Sequence, residues 1–442
     1  MSSGTFLGGI HPPAHKEATK GLAIEDAPLP GELFVPLHQH LGAPCTACVE
    51  VGQQVPKGQK IGDTEAFVSA PVHSPVSGKV TAIEKRRSFT GQEVLGVAIA
   101  VGSAEDQKAT AYLEKIANWR ETQPDVIRTR VREAGIVGLG GAAFPTSVKL
   151  SPPADCPIDT IIINGCECEP FLTCDHRLLL EKAEDVIVGA LIMKQVLGAS
   201  RVIIGIEDNK PDAIAHVTGV ASGYPEVTVV GLHTKYPQGA EKQLIKATLD
   251  REVPARGLPM KVGALVQNVG TALAVAEAVL EGKPLIERVV TVSGPGVKRP
   301  CNLRVPLGTG LSHLLEQAGG LNAFAERLVL GGPMTGWAQA DLGASVVKGT
   351  GGLLALDRAM AASRDEFLDC VRCQRCAQVC PMYLYPNFLA TAAELKQWPV
   401  ADREGALDCI ECGACAFGCP SRRPMVRFIR EAKAAVAEMQ RA

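Results

Sequence analysis

The sequence has no apolar stretch of membrane-spanning length. Its longest uncharged apolar run, 262–276, carries Gln267, Asn268 and Thr271 and falls short of the roughly 20 residues a transmembrane helix needs. It also lacks an excess of either charge: 45 Lys and Arg against 47 Asp and Glu leave a net charge of −2. A nucleic-acid binder would need a basic footprint, so that class is excluded. The opening MSSGTFLGGIHPPAHKEATK holds no basic segment followed by an apolar core, so no secretory signal is expected. The expected compartment is therefore a reducing cytoplasm, in which the 15 cysteines are metal ligands or free thiols before they are disulfides.

The 442 residues suffice for about three domains, and 46% hydrophobic with 21% charged residues is ordinary for a globular chain. Residues 1–30, rich in His, Pro and Gly, read as an extended arm. From 31 to 105, short β-type runs punctuated by Gly and Pro predict a small barrel or sandwich. VGQQVPKGQKIGD resembles a half-repeat of biotinyl/lipoyl-type domains, but DTEAFVSAP has no lysine at the expected hairpin tip, so no swinging cofactor is expected. From 120 to 285, apolar runs such as TIIING, RVIIGIED and VTVVGL alternate with helical patterns, predicting an α/β domain with a largely parallel sheet. Residues 286–357 return to β texture with one helix. Residues 358–442 are helical and end in a basic helix, whose charge reads as a solvated face or a partner surface.

Cysteine is written twice in one rhythm, CVRCQRCAQVCP at 370–381 and CIECGACAFGCP at 409–420. Sulfur-rich sites select zinc or iron–sulfur clusters. Zinc sites pair two knuckles across a longer gap. Four cysteines this close, closed by proline, fit the bacterial two-cluster ferredoxin spacing, in which the fourth cysteine of each run crosses to the other cluster. Cys370, Cys373, Cys376 and Cys419 are therefore expected on one [4Fe–4S] cluster, and Cys409, Cys412, Cys415 and Cys380 on a second. The other cysteines show no such spacing. Cys45 and Cys48 form an isolated CxxC. Cys166, Cys168 and Cys174 read as free thiols, with redox sensitivity as the alternative, and Cys156 and Cys301 as incidental.

Two further segments carry chemistry. In GLGGAAFPTSVK, Gly138, Gly140 and Gly141 permit close backbone approach, and Lys149 adds a charge; such a loop is either a phosphate cradle or a tight turn. NGCECEP follows an apolar strand, at the end where α/β sheets bind ligands. Its Glu167 and Glu169 would repel phosphate. They suit hydroxyl or ring N–H donors, or else form an exposed acidic loop.

These two segments resemble the flavin- and NADH-binding subunit of respiratory complex I. Together with the cysteine runs and the opening GGIHPPAHKEAT, the whole chain resembles the C subunits of Rnf ion-translocating electron-transport complexes. The resemblance implies four folded parts: an N-terminal barrel-sandwich, a central α/β FMN/NADH-binding domain, a β-grasp domain of the soluble-ligand-binding (SLBB) type and a helical two-cluster ferredoxin-like domain. It implies non-covalent FMN at Gly138, Gly140, Gly141, Lys149, Asn164, Glu167, Gly239, Glu241, Asn268 and Thr271. NADH contacts would be Phe144, Glu169 and Glu241, with no catalytic side chain needed for hydride transfer. Partners would be the other subunits, above all a ferredoxin-like one, and the place would be peripheral, on the cytoplasmic side of the bacterial inner membrane. Departures from complex I are Leu139 for arginine, Cys166 for aspartate and Ala143 for glycine. They keep a rival in view, a cluster-bearing scaffold with a degenerate flavin pocket. Other rivals are an NADH-oxidising subunit of another respiratory or hydrogenase complex and a β-grasp protein with structural zinc.

Overall fold

The computed structural model describes residues 4–361 and 367–441. The first folded unit is a sandwich of two small antiparallel sheets. One contains Glu32–Pro36, Glu93–Val101, Gly78–Arg87 and Gln54–Val55. The other contains Thr46–Ala47, Lys60–Asp63 and Val72–His73. Their inward residues, Leu33, Val35, Ile61, Val72, Val80, Val97 and Ile99 among them, form one core. Gly96 is required there, since a Cβ would lie 2.4 Å from the Phe34 ring.

The central unit is built on four parallel strands in the order Val227–Leu232, Arg201–Glu207, Thr160–Gly165, Ala264–Asn268. TIII is apolar at every position because both faces of this sheet are covered. Ile161 and Ile163 join the core under the helices Ala183–Leu197 and Val269–Leu280. Ile162, between them, faces the other way, toward Leu244 and Ile245 of the helix Glu241–Leu249. The helices Ala183–Leu197 and Val269–Leu280 approach so closely that a Cβ on Gly189 would lie 1.8 Å from the Ala272 carbonyl oxygen.

The third unit is a six-stranded mixed sheet with the helix Leu311–Gln317. Its edge strand, Ile24–Asp26, comes from the N-terminal segment and pairs in parallel with Cys301–Pro306. The segment expected as an extended arm is thus woven into the molecule. Phe6 and Ile10 are buried, and Gly9 N donates to Val379 O at 2.9 Å. Its Pro, Gly and His content gives no periodicity, so these distant partners leave no trace in composition.

The C-terminal unit packs the helices Pro386–Glu394 and Met425–Met439 through Leu389, Ala390, Ala393, Phe428, Ile429, Ala432 and Val436. The buried positions of the second helix recur at three- and four-residue steps. Among the described residues no helix is long and apolar enough to cross a membrane.

Gly189→Ala is expected to destabilise the central unit by about 1–3 kcal/mol, as overpacked cores do. A lowered melting midpoint with unaltered secondary structure checks this; an unchanged midpoint would show that the two helices can part.

Candidate functional site

The parallel sheet fixes where a ligand can sit. The chain leaves the Thr160–Gly165 strand to build the sheet on one side, then returns to add Ala264–Asn268 on the other. The crevice at the carboxyl ends of these two strands is a topological switch point, where open α/β sheets bind ligands. Asn164 and Asn268 are register partners across it. Asn164 Nδ2 donates to Gly239 O at 2.7 Å, and its Oδ1 accepts from Cys166 N at 3.2 Å. Asn268 caps the helix Val269–Leu280 by accepting from Gly270 N at 2.8 Å, and its Nδ2 donates to Asp175 Oδ2 at 2.6 Å.

The glycine loop folds over the same crevice. Gly138 N donates to Phe144 O at 2.8 Å, and Leu139 N to the buried Thr271 Oγ1 at 2.9 Å. A Cβ on Gly140 would meet Asn268 at no less than 3.6 Å. One on Gly141, whose φ is +108°, would meet nothing within 4 Å. The loop therefore presents bare backbone to open space, the form a cradle for a flavin phosphate needs. Ala143 adopts a φ of +49°, which explains a glycine at that position in related loops. Lys149 Nζ reaches Glu241 Oε1 at 2.7 Å and Val266 O at 3.1 Å, so Lys149 and Glu241 sit together at the crevice. Phe144, in the same loop, is half-buried.

The acidic strap is not the exposed loop its composition allows. Glu167, at φ +46°, accepts from Asp175 N at 2.7 Å and His176 N at 3.2 Å, capping the helix Cys174–Glu181. The Glu169 carboxylate accepts from Met334 N at 3.0 Å, Thr335 N at 2.9 Å and the Thr335 hydroxyl. Burial pushes this carboxyl up against the pull of those bonds. Glu169, expected at NADH, thus has a full set of partners in the third unit. Burial also raises the thiols of this strap, Cys166 well above its ordinary range and Cys168 to about 12. In the barrel Cys45 is raised to about 11 by burial, while Cys48 is exposed.

Three site residues escaped sequence reasoning. Arg288 is buried with Nε on Thr350 O at 3.0 Å and Nη2 on Leu139 O at 3.3 Å, so a guanidinium stands under the loop that lacks its own arginine. The signal available was a lone arginine opening the apolar run RVVTVS. Lys16 and Asp175 had no local signal at all.

The cysteine runs interleave. Cys370, Cys373, Cys376 and Cys419 line one small cavity; Cys380, Cys409, Cys412 and Cys415 line another. Each cavity takes three cysteines from one run and one from the other. Burial, then the neighbouring thiols Cys409 and Cys380, push Cys412 up to about 12. Burial raises Cys376 as well, with Cys370 and Cys419 adding to it. Four such thiolates can coexist only around a cation, which is the chemistry of a metal–sulfur cluster. The second set faces the central unit: Tyr236 Oη donates to Cys412 O at 2.6 Å and Gln243 Nε2 to Pro381 O at 3.0 Å. In the first set, Cys370 and Cys373 are exposed.

A flavin-type α/β domain, a β-grasp domain and a double cysteine domain in one chain define an electron-transfer subunit. Residues 131–277 match the family described as the Nuo51 FMN-binding domain, 4–104 the RnfC barrel sandwich hybrid domain and 289–338 the SLBB domain. The C subunit of a proton-translocating ferredoxin:NAD(+) oxidoreductase complex from Clostridium ljungdahlii is 43% identical over 87% of this chain and 84% of that protein. The Na(+)-translocating counterpart of Acetobacterium woodii is 40% identical over 100% of this chain and 99% of its own. The C subunit of an ion-translocating oxidoreductase complex from Pseudomonas aeruginosa is 42% identical over 89% of this chain and 51% of its own. The chain belongs to the family of ion-translocating oxidoreductase complex C subunits. Two crystal structures of an NAD+-reducing [NiFe]-hydrogenase share its fold, with TM-scores of 0.50 and 0.51 at 20% identity. They cover 73% and 75% of this chain and 64% and 72% of those chains.

Asp175 yields a pH prediction. Burial, and then the Glu167 charge, raise its carboxyl to about 7, against the pull of Arg288 and Asn268. In the unfolded chain it ionises near its ordinary value of about 4. The folded state therefore binds the extra proton between about pH 4 and 7, and stability falls as pH rises through that window. Asp175→Asn is expected to remove this contribution, so the wild-type melting midpoint should fall relative to the variant's between about pH 4 and 7. Parallel curves would show that Asp175 is ionised in the folded chain.

Proposed function

We propose that this chain is the NADH-side subunit of a membrane-bound, Rnf-type ferredoxin:NAD+ oxidoreductase. It exchanges electrons between NADH and a ferredoxin through FMN and two [4Fe–4S] clusters, while other subunits move the coupled ion. The observation that carries this reading is the interleaving of two cysteine sets in a unit seated against the switch-point crevice. When bound, FMN accepts the two electrons of a hydride together and the clusters accept electrons singly.

The chain's own groups supply binding and placement. The loop backbone at Gly140 and Gly141, pinned by the bonds of Gly138 N and Leu139 N, would with Lys149 hold the FMN phosphate. Asn164, Asn268 and Thr271 would orient the cofactor at the crevice with side chains fixed by their own hydrogen bonds, and Gly239 contributes the carbonyl that holds Asn164. Phe144, and Glu241 beside Lys149, would meet NADH, and no general acid or base is called for. Glu167 and Glu169 act at one remove: the first caps a helix beside the crevice, the second ties the strap to the third unit. Leu139 and Cys166 favoured a degenerate pocket; the buried Arg288 guanidinium at the Leu139 carbonyl answers the first of these.

The order of the cysteine sets follows from packing. Cys380, Cys409, Cys412 and Cys415 hold the cluster on the flavin side, and Cys370, Cys373, Cys376 and Cys419 the cluster on the partner side. With NADH and ferredoxin as soluble substrates and no spanning helix among the described residues, the chain sits peripherally on the cytoplasmic face of a bacterial cell membrane, held by partner subunits.

The full chain, reconstituted with iron, sulfide and FMN, is expected to hold about eight irons and one flavin, and to show reduced-cluster paramagnetic resonance on adding NADH. About four irons or fewer, or a flavin that never binds or never bleaches, would falsify the reading. Cys380→Ala is expected to remove the flavin-side cluster signal and keep the other. Cys373→Ala should leave NADH reduction of the flavin-side cluster intact while stopping transfer to added ferredoxin. Equal loss of both signals in either variant contradicts the assignment.

A further inference from the structure

Lys16 belongs to no nucleotide-binding motif, yet it is buried at the heart of the strap. Its ammonium donates to Glu167 O and Glu169 O at 2.9 Å each, and to Leu172 O. All three of its N–H groups thus end on main-chain carbonyls of one loop. Lys210, also buried, takes the preceding carbonyl, Cys166 O, at 2.5 Å, together with Glu207 Oε2 at 3.2 Å and Asn209 Oδ1 at 2.9 Å. The loop they hold contains two left-handed residues, Glu167 at φ +46° and Phe171 at φ +67°.

Neutral amide donors could satisfy such carbonyls without burying a charge, which is costly. Burial lowers the Lys16 pKa, the sign of that cost. Lys210 has a carboxylate partner in Glu207; the Lys16 ammonium is met by carbonyls alone. The strongest charge acting on it is the Glu167 carboxylate, whose oxygens are engaged by the Asp175 and His176 amides, and the charge this leaves bears on what lies nearby. Glu167 is the third residue after Asn164 at the crevice. The Lys16 charge reaches Asp175, which is hydrogen-bonded to Asn268 on the crevice's other side.

We propose that Lys16 is a positioning residue of the flavin crevice, whose ammonium both fixes the strap and biases the bound flavin toward its more negative, reduced form. The proposal rests on the reading of the crevice as the FMN site. Hydride transfer from NADH leaves NAD+ and brings one negative charge to the flavin, so a buried cation on the strap that flanks the crevice favours the product side.

The test uses the full reconstituted chain with two variants. Lys16→Met removes charge and donors; Lys16→Gln removes the charge and keeps an amide donor. At saturating FMN, both should raise the NADH:NAD+ ratio needed for half-reduction of the flavin about tenfold, about 30 mV for a two-electron couple. Lys16→Met should also weaken FMN binding, read by flavin fluorescence, about tenfold, with both cluster signals kept. A change in the half-reduction ratio below threefold in the variants that assemble overturns the proposal, even if affinity falls, because a mere staple moves affinity alone. Failure of both variants to assemble with their clusters overturns it too, making Lys16 a requirement of the fold. A wild-type chain that takes up no FMN sinks the functional reading and this proposal together. Flavin uptake by wild type with an unchanged ratio in the variants sinks this proposal alone.

Discussion

The strap that leaves the Thr160–Gly165 strand turns inside the protein, where its carbonyls have no neighbouring strand and little water to bond. Everything around the crevice depends on how those groups are satisfied. Lys210 takes Cys166 O, and Lys16 takes the carbonyls of Glu167, Glu169 and Leu172. Phe171 N finds Ala14 O at 2.8 Å, and Thr173 N finds Thr291 Oγ1 at 3.1 Å. The Glu169 side chain gathers the 334–335 backbone. The N-terminal segment, the sheet and the third unit therefore meet on one loop, and none of them can shift without exposing an unpaired buried polar group.

The same economy governs the seam to the C-terminal unit. Two of its polar contacts with the central unit run through backbone at the second cysteine set: Cys412 O receives the Tyr236 hydroxyl and Pro381 O the Gln243 amide. A Cβ on Gly8 would lie 2.8 Å from Cys380 O, so the N-terminal segment presses on that set as well. At the rim, the Arg256 amide donates to Asp408 and its guanidinium pairs with Asp402. Cys370 and Cys373 of the other set lie in an exposed stretch. One side of the unit is thus spent on attachment and the other left for encounter.

What the sequence discloses and what it hides divide along the range of the interactions. Continuous apolar runs and three-to-four-residue periodicity showed the parallel sheet and its helices, because TIII and 183–197 write their burial locally. The cysteine rhythm is likewise local, and its crossing between runs follows from the spacing of neighbouring ligands. Lys16 meets its carbonyls 151 to 156 residues away, and Glu169 meets Thr335 166 residues away. A lysine in HPPAHKEAT and a glutamate in NGCECEP look like surface charges until the fold brings buried backbone to them. Glu167 was legible as a carboxylate at a strand end, but its use as a cap depends on where the helix Cys174–Glu181 begins.

These long-range ties bear on where the crevice's positive field comes from. An arginine in the loop would carry the cation on the loop itself. Here the loop carries Leu139, and Arg288 holds its carbonyl from the adjoining strand of the third unit, its other nitrogen pinned on Thr350 O. Lys16 does the same beneath the strap from the N-terminal segment. Both cations lie outside 131–277, the span that matches the Nuo51 FMN-binding domain, as do Met334 and Thr335, which hold Glu169. The flavin domain of this chain is therefore not self-contained. Its glycine loop and strap are braced by units that in sequence look like an arm and an accessory domain. Such an arrangement is preorganised only in the assembled chain, which gives the flanking units a physical part in the chemistry of the crevice beyond attachment.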